Sequence, residues 1–147
     1  MAITLAQICD AVKTTLGAAT GIAKSQSYSE LTEGIEDLPL LQVYPQAGET
    51  DIAGSGDRTT FRAGVRQAEV LIHCDVLCRQ RSHIDEDMAK TVEMVEAVQV
   101  VLEAQDVKPY FGLAGIKGYH WRWERVIFPY AGVEYFGARF FLTVRVF

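Results

Sequence analysis

Three side chains that could bind a metal lie close together in the sequence: His73, Cys74 and Cys78. Thiolates and imidazoles are ligands that zinc prefers. The surrounding residues alternate between apolar and polar, which predicts a β-strand, and residues four apart on a strand are separated by about 13 Å. Zinc ligands lie about 2.0–2.3 Å from the metal. We therefore expect both cysteines in the core and no zinc site.

A second metal candidate is His83 followed by the acidic run Asp85-Glu86-Asp87. The spacing does not match a calcium-binding loop. Carboxylates in the first turn of a helix are stabilised by the positive end of the helix dipole, with no ion needed. Ser82 precedes this run and is a good N-cap residue. The pattern predicts a helix start and no metal.

Motifs typical of enzymes are missing from the sequence. The glycine-rich run at 54–60 lacks the Lys-Ser/Thr ending of a phosphate-binding loop, and the run at 112–118 does not open a helix. His73, His83 and His120 have no evident nucleophile partner. We expect no catalytic residues, no enzymatic activity and no cofactor.

Trp121, Arg122, Trp123 and Arg125 mix aromatic and basic side chains, as the surfaces that stack single-stranded nucleic acids do. The chain has a net charge of −5, however, and nucleic-acid binding depends on neutralising phosphates. The pattern favours aromatic packing on a sheet face or at a subunit contact. A single-strand-binding module is the alternative.

These residues must be positioned by one central unit, which spans 61–105 and reads as a long strand, a sharp break and a long helix. The even positions of the strand are apolar and the odd positions mostly polar, so one face should lie on a core. In the helix an apolar stripe recurs every three or four residues. Its members are Ile84, Met88, Val92, Val95, Val98 and Leu102.

The remaining elements flank this unit. Thr4 should cap a helix whose stripe is Leu5, Ile8, Val12 and Leu16. A short strand at 38–44 should end at Pro45, because proline cannot donate to a sheet ladder. Residues 46–60 are then predicted to form a flexible loop at the end of a long hairpin. A strand near 119–127, a turn at 129–132 and a strand at 133–147 complete the chain.

This order of elements predicts an α+β fold with an antiparallel sheet of about four strands and two helices on one face. The length of 147 residues suits a single domain covering 1–147. No apolar run is long enough to cross a bilayer, and an odd number of cysteines, three, fits a reducing cytoplasm.

Charge is unevenly distributed along the chain. Residues 28–57 contain seven carboxylates and no Lys or Arg, whereas residues 116–147 contain five Lys or Arg and two Glu. A subunit with an acidic side and a basic side suits head-to-tail contact with copies of itself. Two ordinary solvated faces are the alternative.

The C-terminal hairpin has more large apolar side chains than two helices can cover. Monomers rarely expose large apolar patches, and aromatic residues and arginine are typical of interface cores. We therefore predict a subunit interface on the sheet face that the helices leave uncovered. Alternatively, residues 17–37 fold over that face. The predicted interface residues are Tyr119, Trp121, Trp123, Tyr135, Arg139, Phe141, Arg145 and Phe147.

The layout resembles the tail-terminator, or tail-completion, proteins of long-tailed bacteriophages. The resemblance rests on the N-terminal helix, the LPLLQVY strand before a polar loop, the RQAEVLIHCDVLCR strand leading into HIDEDMAKTVEMVEAV, and the closing GYHWRWER…ARFFLTVRVF hairpin. Head-tail connector, or neck, subunits have similar layouts and are the alternative. The aromatic stretch 119–123 is a departure from the family pattern.

The resemblance implies a structural virion protein made in the host cytoplasm and located at the head-proximal end of the tail. Such proteins form rings, usually hexamers, that cap the tail tube, end its polymerisation and provide the surface that joins tail to head. The implied partners are other copies of the chain, the tail-tube protein and the head-tail connector, with no membrane. DNA passes through the ring without specific binding. The loop would line this channel or contact a partner through Glu49, Asp51, Asp57 and Arg58.

Overall fold

The computed structural model describes residues 3–31, 35, 37–52, 66–105 and 107–146. Within these ranges two α-helices and five strands follow one another, with a short 3-10 turn before β4. In chain order they are α1 (Leu5–Gly17), β1 (Lys24–Ser27), β2 (Leu40–Ile52), β3 (Arg66–Gln80), α2 (Ile84–Glu103), the 3-10 turn (Tyr110–Gly112), β4 (Ile116–Tyr130) and β5 (Val133–Val146).

The strands form one sheet in the order β1-β2-β3-β5-β4. β1 pairs with β2 in parallel, and every other pairing is antiparallel. The predicted α+β class is confirmed, with one more strand than the four expected. The additional strand is β1, whose four polar residues carry no apolar alternation. No helix in the described ranges is long and apolar enough to span a membrane.

Helix α1 begins with the cap expected from the sequence. The Thr4 hydroxyl accepts a hydrogen bond from the Gln7 backbone N–H at 3.1 Å, and Gln7 Oε1 accepts one from the Thr4 N–H at 2.9 Å. This reciprocal pair satisfies two donors that a helix start leaves unpaired. Ile8, Val12 and Leu16 are buried as predicted, whereas Leu5 is 49% exposed.

Helix α2 begins one residue later than predicted, with His83 and not Ser82 at the N-cap position. The capping carboxylate comes from inside the helix: Asp87 Oδ2 accepts the Ser82 backbone N–H at 2.9 Å. Asp87 is fully buried, and its carboxylate also lies 3.3 Å from Arg79 Nε. A buried carboxylate is tolerated here because it is hydrogen-bonded and paired.

The buried face of α2 differs from the predicted apolar stripe. Val95, Val98 and Leu102 are buried as expected, but Ile84 is 61% and Val92 is 50% exposed. The face that meets the sheet instead includes Asp87, Thr91 and Met94. Thr91 Oγ1 donates to the Asp87 carbonyl at 2.8 Å, so its polar group is satisfied locally and the side chain can be buried.

The main core lies between the sheet and the two helices. The even positions of β3 face it as predicted, and both strand cysteines are buried. The inward side chains of β5 pack beside them. The largest fully buried apolar side chains that β3 and β5 contribute to this core are Ile72, Phe140 and Leu142.

Strand β2 does not end at Pro45. It continues to Ile52, which pairs with Arg66 of β3. The register shifts between Pro45 and Ala47, and a proline is accommodated at such an irregularity because the missing N–H is not needed there. The first part of the predicted loop, 46–52, is therefore strand, and residues 53–65 lie outside the described part of the chain.

The β4–β5 hairpin turns at Ala131 and Gly132, whose φ angles are +53° and +81°. Positive φ at both central residues matches the twist of a two-residue hairpin. Pro129 and Tyr130, predicted to be in the turn, are instead paired with Glu134 and Val133.

Candidate functional site

The register of the C-terminal hairpin places the β4 aromatic residues on the face of the sheet that carries the helices. Tyr119, Trp121 and Trp123 lie opposite Val144, Leu142 and Phe140, which are core residues of β5. They are therefore not on the same face as Tyr135, Arg139, Phe141 and Arg145. The eight predicted interface residues do not form one patch.

Two of these aromatic residues contribute to the fold of the single chain. The Tyr119 hydroxyl lies 2.7 Å from the Leu102 carbonyl oxygen and 2.9 Å from that of Gln105, at the end of α2. Its ring meets Phe111 edge-on and stacks on Trp121, with ring centroids 6.1 Å apart for the stacked pair. Tyr119 thus fixes the end of α2 to β4.

Trp123 and Ile127 are different, because they remain 43% and 38% exposed. Both lie on β4, the last strand of the sheet. In the described ranges no strand pairs with the outer side of this 15-residue strand. Every second residue of an edge strand turns its backbone N–H and C=O outward, so β4 presents a long template for another chain.

The opposite face of the sheet holds a buried ion pair. Asp75 on β3 is fully buried. Its carboxylate accepts hydrogen bonds from Arg139 Nε at 2.7 Å and Nη2 at 3.2 Å, and from the Tyr44 hydroxyl at 2.7 Å. The hydrogen bond to Asp75 raises the pKa of Arg139, and burial together with the same carboxylate raises the pKa of Tyr44.

His73 lies beside this ion pair and is 7% exposed. Its ring meets Tyr44 and Phe141 edge-on, and its Nδ1 lies 3.4 Å from the Tyr44 hydroxyl. Burial, and secondly the nearby Arg139 charge, lower the pKa of His73. Each polar group in this cluster is engaged by another, so the arrangement is one that stabilises the sheet face.

The described interface candidates on this face differ in burial: Tyr135 is buried, Arg139 and Phe141 are half-buried, and Arg145 is exposed. Tyr135 is 8% exposed and belongs to a small second core with Phe128, Leu40 and Leu77. Ile35 and Leu38 pack against this core, so the alternative that residues 17–37 fold over this face is realised in part, at Ile35.

Phe141 lies under the Arg122 guanidinium, whose carbon is 3.8 Å from the ring centroid. Arg139 is paired with Asp75. Arg145 is exposed, and Phe147 lies outside the described part of the chain.

The edge of the sheet opposite β4 is also partly open among the described strands. β1 pairs only with Leu40–Val43, so the outer side of β2 from Tyr44 to Ile52 has no partner among the described strands. This part of β2 and the facing part of β3 form an arm. Glu49 lies directly opposite Glu69 on the arm, and both are exposed. Like charges placed opposite each other are unfavourable unless a cation neutralises them, and Arg145 of β5 lies opposite Glu69 on its other side.

A groove of about 420 Å³ lies between the start of α1 and the base of this arm. Its lining is mostly apolar, and the small side chains of Ala47 and Ala68 together with Gly48 leave it open. The sequence contained one sign of it, since an isolated glycine in a strand often marks a close approach. The apolar residues beside Gly48 and Ala68 are Ile3, Leu5, Val70 and Val146.

The residues predicted to line a channel or contact a partner lie on or beyond this arm. Glu49 is exposed on β2, and Asp51 pairs through its backbone with Gln67. Asp57 and Arg58 lie outside the described residues. The channel role stays a prediction.

The cysteines and the tryptophan-arginine stretch can be placed as well. Cys9, Cys74 and Cys78 are buried free thiols, and burial raises the pKa of Cys9 and of Cys78 to about 11. Within the described ranges no three His, Cys, Asp or Glu side chains could hold a metal ion. Arg122 and Trp123 lie on opposite faces of β4, so together they do not form one stacking surface.

The sequence matches no protein-family model and no curated protein. Function is therefore inferred from the two open sheet edges, the exposed Trp123 and the groove beside Gly48.

Proposed function

We propose that this chain is a structural subunit of a long-tailed phage virion, which forms a ring on the end of the tail tube. The ring ends tube polymerisation and provides the surface that joins the tail to the head. The resemblance in layout supports the proposal, as does a fold with one sheet and helices on one of its faces.

The observation that carries the proposal is that, among the strands the structure describes, the sheet is open at both edges. β4 offers its outer edge on one side, and β2 beyond Val43 offers its edge on the other. A subunit with two different adhesive edges associates head to tail, and such contacts produce a ring when the rotation between neighbours closes. A partner strand would also satisfy the backbone groups that both edges leave unpaired.

The charges of the two edges support the same arrangement. The arm carries Glu49 and Glu69, whereas β4 carries Arg122 and Arg125 near its exposed tryptophan. Opposite charges steer association between the two edges of successive copies. Carboxylates that remain in the centre of a ring would repel phosphates, which suits a channel through which DNA passes without binding.

The direct test is electron microscopy of the purified protein, in which we expect rings with an open centre. Added to polymerising subunits of its cognate tail-tube protein, the rings should cap the tubes and stop their growth. Tubes that grow equally long with and without the protein would contradict the terminator role. Rings that bind the head connector but not the tube end would identify a neck subunit instead.

A further inference from the structure

We propose that Trp123 of one copy seats in the groove beside Gly48 of the next copy, and that this is the contact that holds the ring. This inference rests on the proposed ring function and names the residues that would build it. The proposed occupant of the groove is the β4 edge of a second copy of the chain.

The first reason is that the tryptophan and the groove lie on the same face of the sheet. Trp123 is opposite Phe140, and Gly48 is opposite Val70; both partners are core residues beneath the helices. When β4 of one copy is laid beside the open edge of β2 in the next, the two sheets continue into one another. Trp123 then faces the side on which the groove opens.

The second reason is that each surface lacks what the other supplies. Trp123 is 43% exposed on an edge strand, although a large aromatic side chain gains most from full burial. The groove of about 420 Å³ is lined mainly by apolar side chains, and Leu5 at its rim is 49% exposed. An indole fits within that volume, and its burial would cover Leu5 as well.

The third reason is charge. Glu49 and Glu69 line the groove and face each other across the arm. Their side chains lie on the face of the sheet away from the helices, and Arg145 of β5 is already opposite Glu69. On β4 the neighbour of Trp123 that lies on this face is Arg122, which is 62% exposed in its ion pair with Glu124. An incoming β4 therefore brings a second cation to the face that carries the two carboxylates, which favours this pairing over contact between two identical edges.

Two variants test the contact, one on each surface. Trp123→Ala removes the inserted side chain. Gly48→Leu fills the groove, and the single chain has room for it, because the nearest atom to a Cβ at Gly48 is the Glu69 carbonyl oxygen at 3.7 Å. Val100→Ser, which changes a residue 66% exposed on α2, is the matched control. Circular dichroism and thermal melting establish that each variant is folded.

The measurement is mass by sedimentation equilibrium over a concentration series. Each variant alone should associate at least about tenfold more weakly than the wild type, as expected for a buried aromatic at an interface centre. Val100→Ser should assemble like the wild type. An equimolar mixture of the two variants should form a 1:1 heterodimer and nothing larger, since the mixture retains one intact tryptophan-groove contact.

The outcomes separate this inference from the proposed function. If Trp123→Ala forms the same rings as the wild type, the Trp123 contact is overturned and the proposed ring stands. Association that is lost in Gly48→Leu but retained in Trp123→Ala would mean that the groove binds another occupant, which also overturns the contact. A mixture that stays monomeric would overturn it too. A wild type that never assembles would overturn the proposed ring itself.

Discussion

Arg139 and Asp75 form a bidentate ion pair across β5 and β3, with Arg139 Nε 2.7 Å from Asp75 Oδ1 and Nη2 3.2 Å from Oδ2. The carboxylate is fully buried, while the arginine side chain is 27% exposed. The pair joins the two central antiparallel strands on the face away from the helices. Because the carboxylate is the more deeply buried partner, the fold depends on the arginine that neutralises it.

Arg139→Met should lower the free energy of unfolding by about 3 kcal/mol, because it leaves the Asp75 carboxylate buried without a cation. Arg122→Met removes the exposed ion pair with Glu124, in which the arginine is 62% exposed, and should cost less than about 1 kcal/mol. Urea unfolding at neutral pH measures both. Equal losses in the two variants would contradict the importance assigned to the buried pair.

His73 should make stability depend on pH. Burial, and then the charges of Arg139 and Arg122, lower its pKa in the folded chain below the ordinary value of 6.5, and the Asp75 carboxylate offsets only part of this. The unfolded chain therefore takes up a proton first as the pH falls. The stabilisation is complete above about pH 6.5 and is lost as the pH falls through the lower folded-state pKa.

His73→Gln should remove this part of the pH dependence. Free energies of unfolding from urea titrations between pH 5 and 8 should decrease as the pH is lowered. The decrease should be steeper in the wild type than in the variant. Protonation of carboxylates affects both proteins alike and is cancelled by the comparison. Parallel curves for the two proteins would show that His73 is not the titrating group.

Gly137→Ala should disrupt the β3–β5 pairing. A Cβ at Gly137 would overlap the carbonyl oxygen of Val76 on the neighbouring strand, and a backbone atom cannot move aside cheaply. We expect a loss of about 3 kcal/mol, the upper end for overpacking. Gly48→Ala is the control; with nothing closer than 3.7 Å it should be neutral or stabilise by about 0.5 kcal/mol. Thermal melts that rank the two in the reverse order would refute this account.

Asp87 should matter more than its neighbours in the acidic run. Asp87→Ala leaves the Ser82 N–H and the Arg79 guanidinium without their buried acceptor, and should cost about 2 kcal/mol. Asp85→Ala changes an exposed carboxylate in the same helical turn and should cost about 0.5 kcal/mol, the size of its interaction with the helix dipole. Chemical denaturation distinguishes the two. A similar loss of stability in both variants would mean that Asp87 acts only through the helix dipole and that its buried contacts add nothing.

Local pattern was sufficient to predict most elements of the fold. Alternation of apolar residues along 68–78 predicts the strand and its core face, and Thr4 predicts the start of α1. These predictions succeed because the faces of one strand and the cap of one helix depend only on residues a few positions apart. The same reasoning fails on α2, because polar residues there are buried together with hydrogen-bond partners. Asp87 and Thr91 are buried where Ile84 and Val92 were expected.

Relationships between strands were decided by the tertiary structure. Alternation places Trp123 on the same face of β4 as Trp121. It does not determine which face of β5 lies beside that face in the sheet. A shift of register by one residue would exchange the faces. Pairing with Phe140 places Trp123 on the helix face, away from Arg139. The joining of Asp75 to Arg139, 64 residues later, depends on register in the same way.

The open edges are also a tertiary property. Alternation alone does not distinguish β4 from a central strand, because edge position depends on strand order. Here the order leaves the outer edges of β4 and of the far part of β2 without a partner strand within the described chain. The amino-acid sequence determined the strands, the core face and the charge of each half. The folded sheet decided which strands stay available to a neighbour, since backbone groups are unpaired only where no other strand lies beside them.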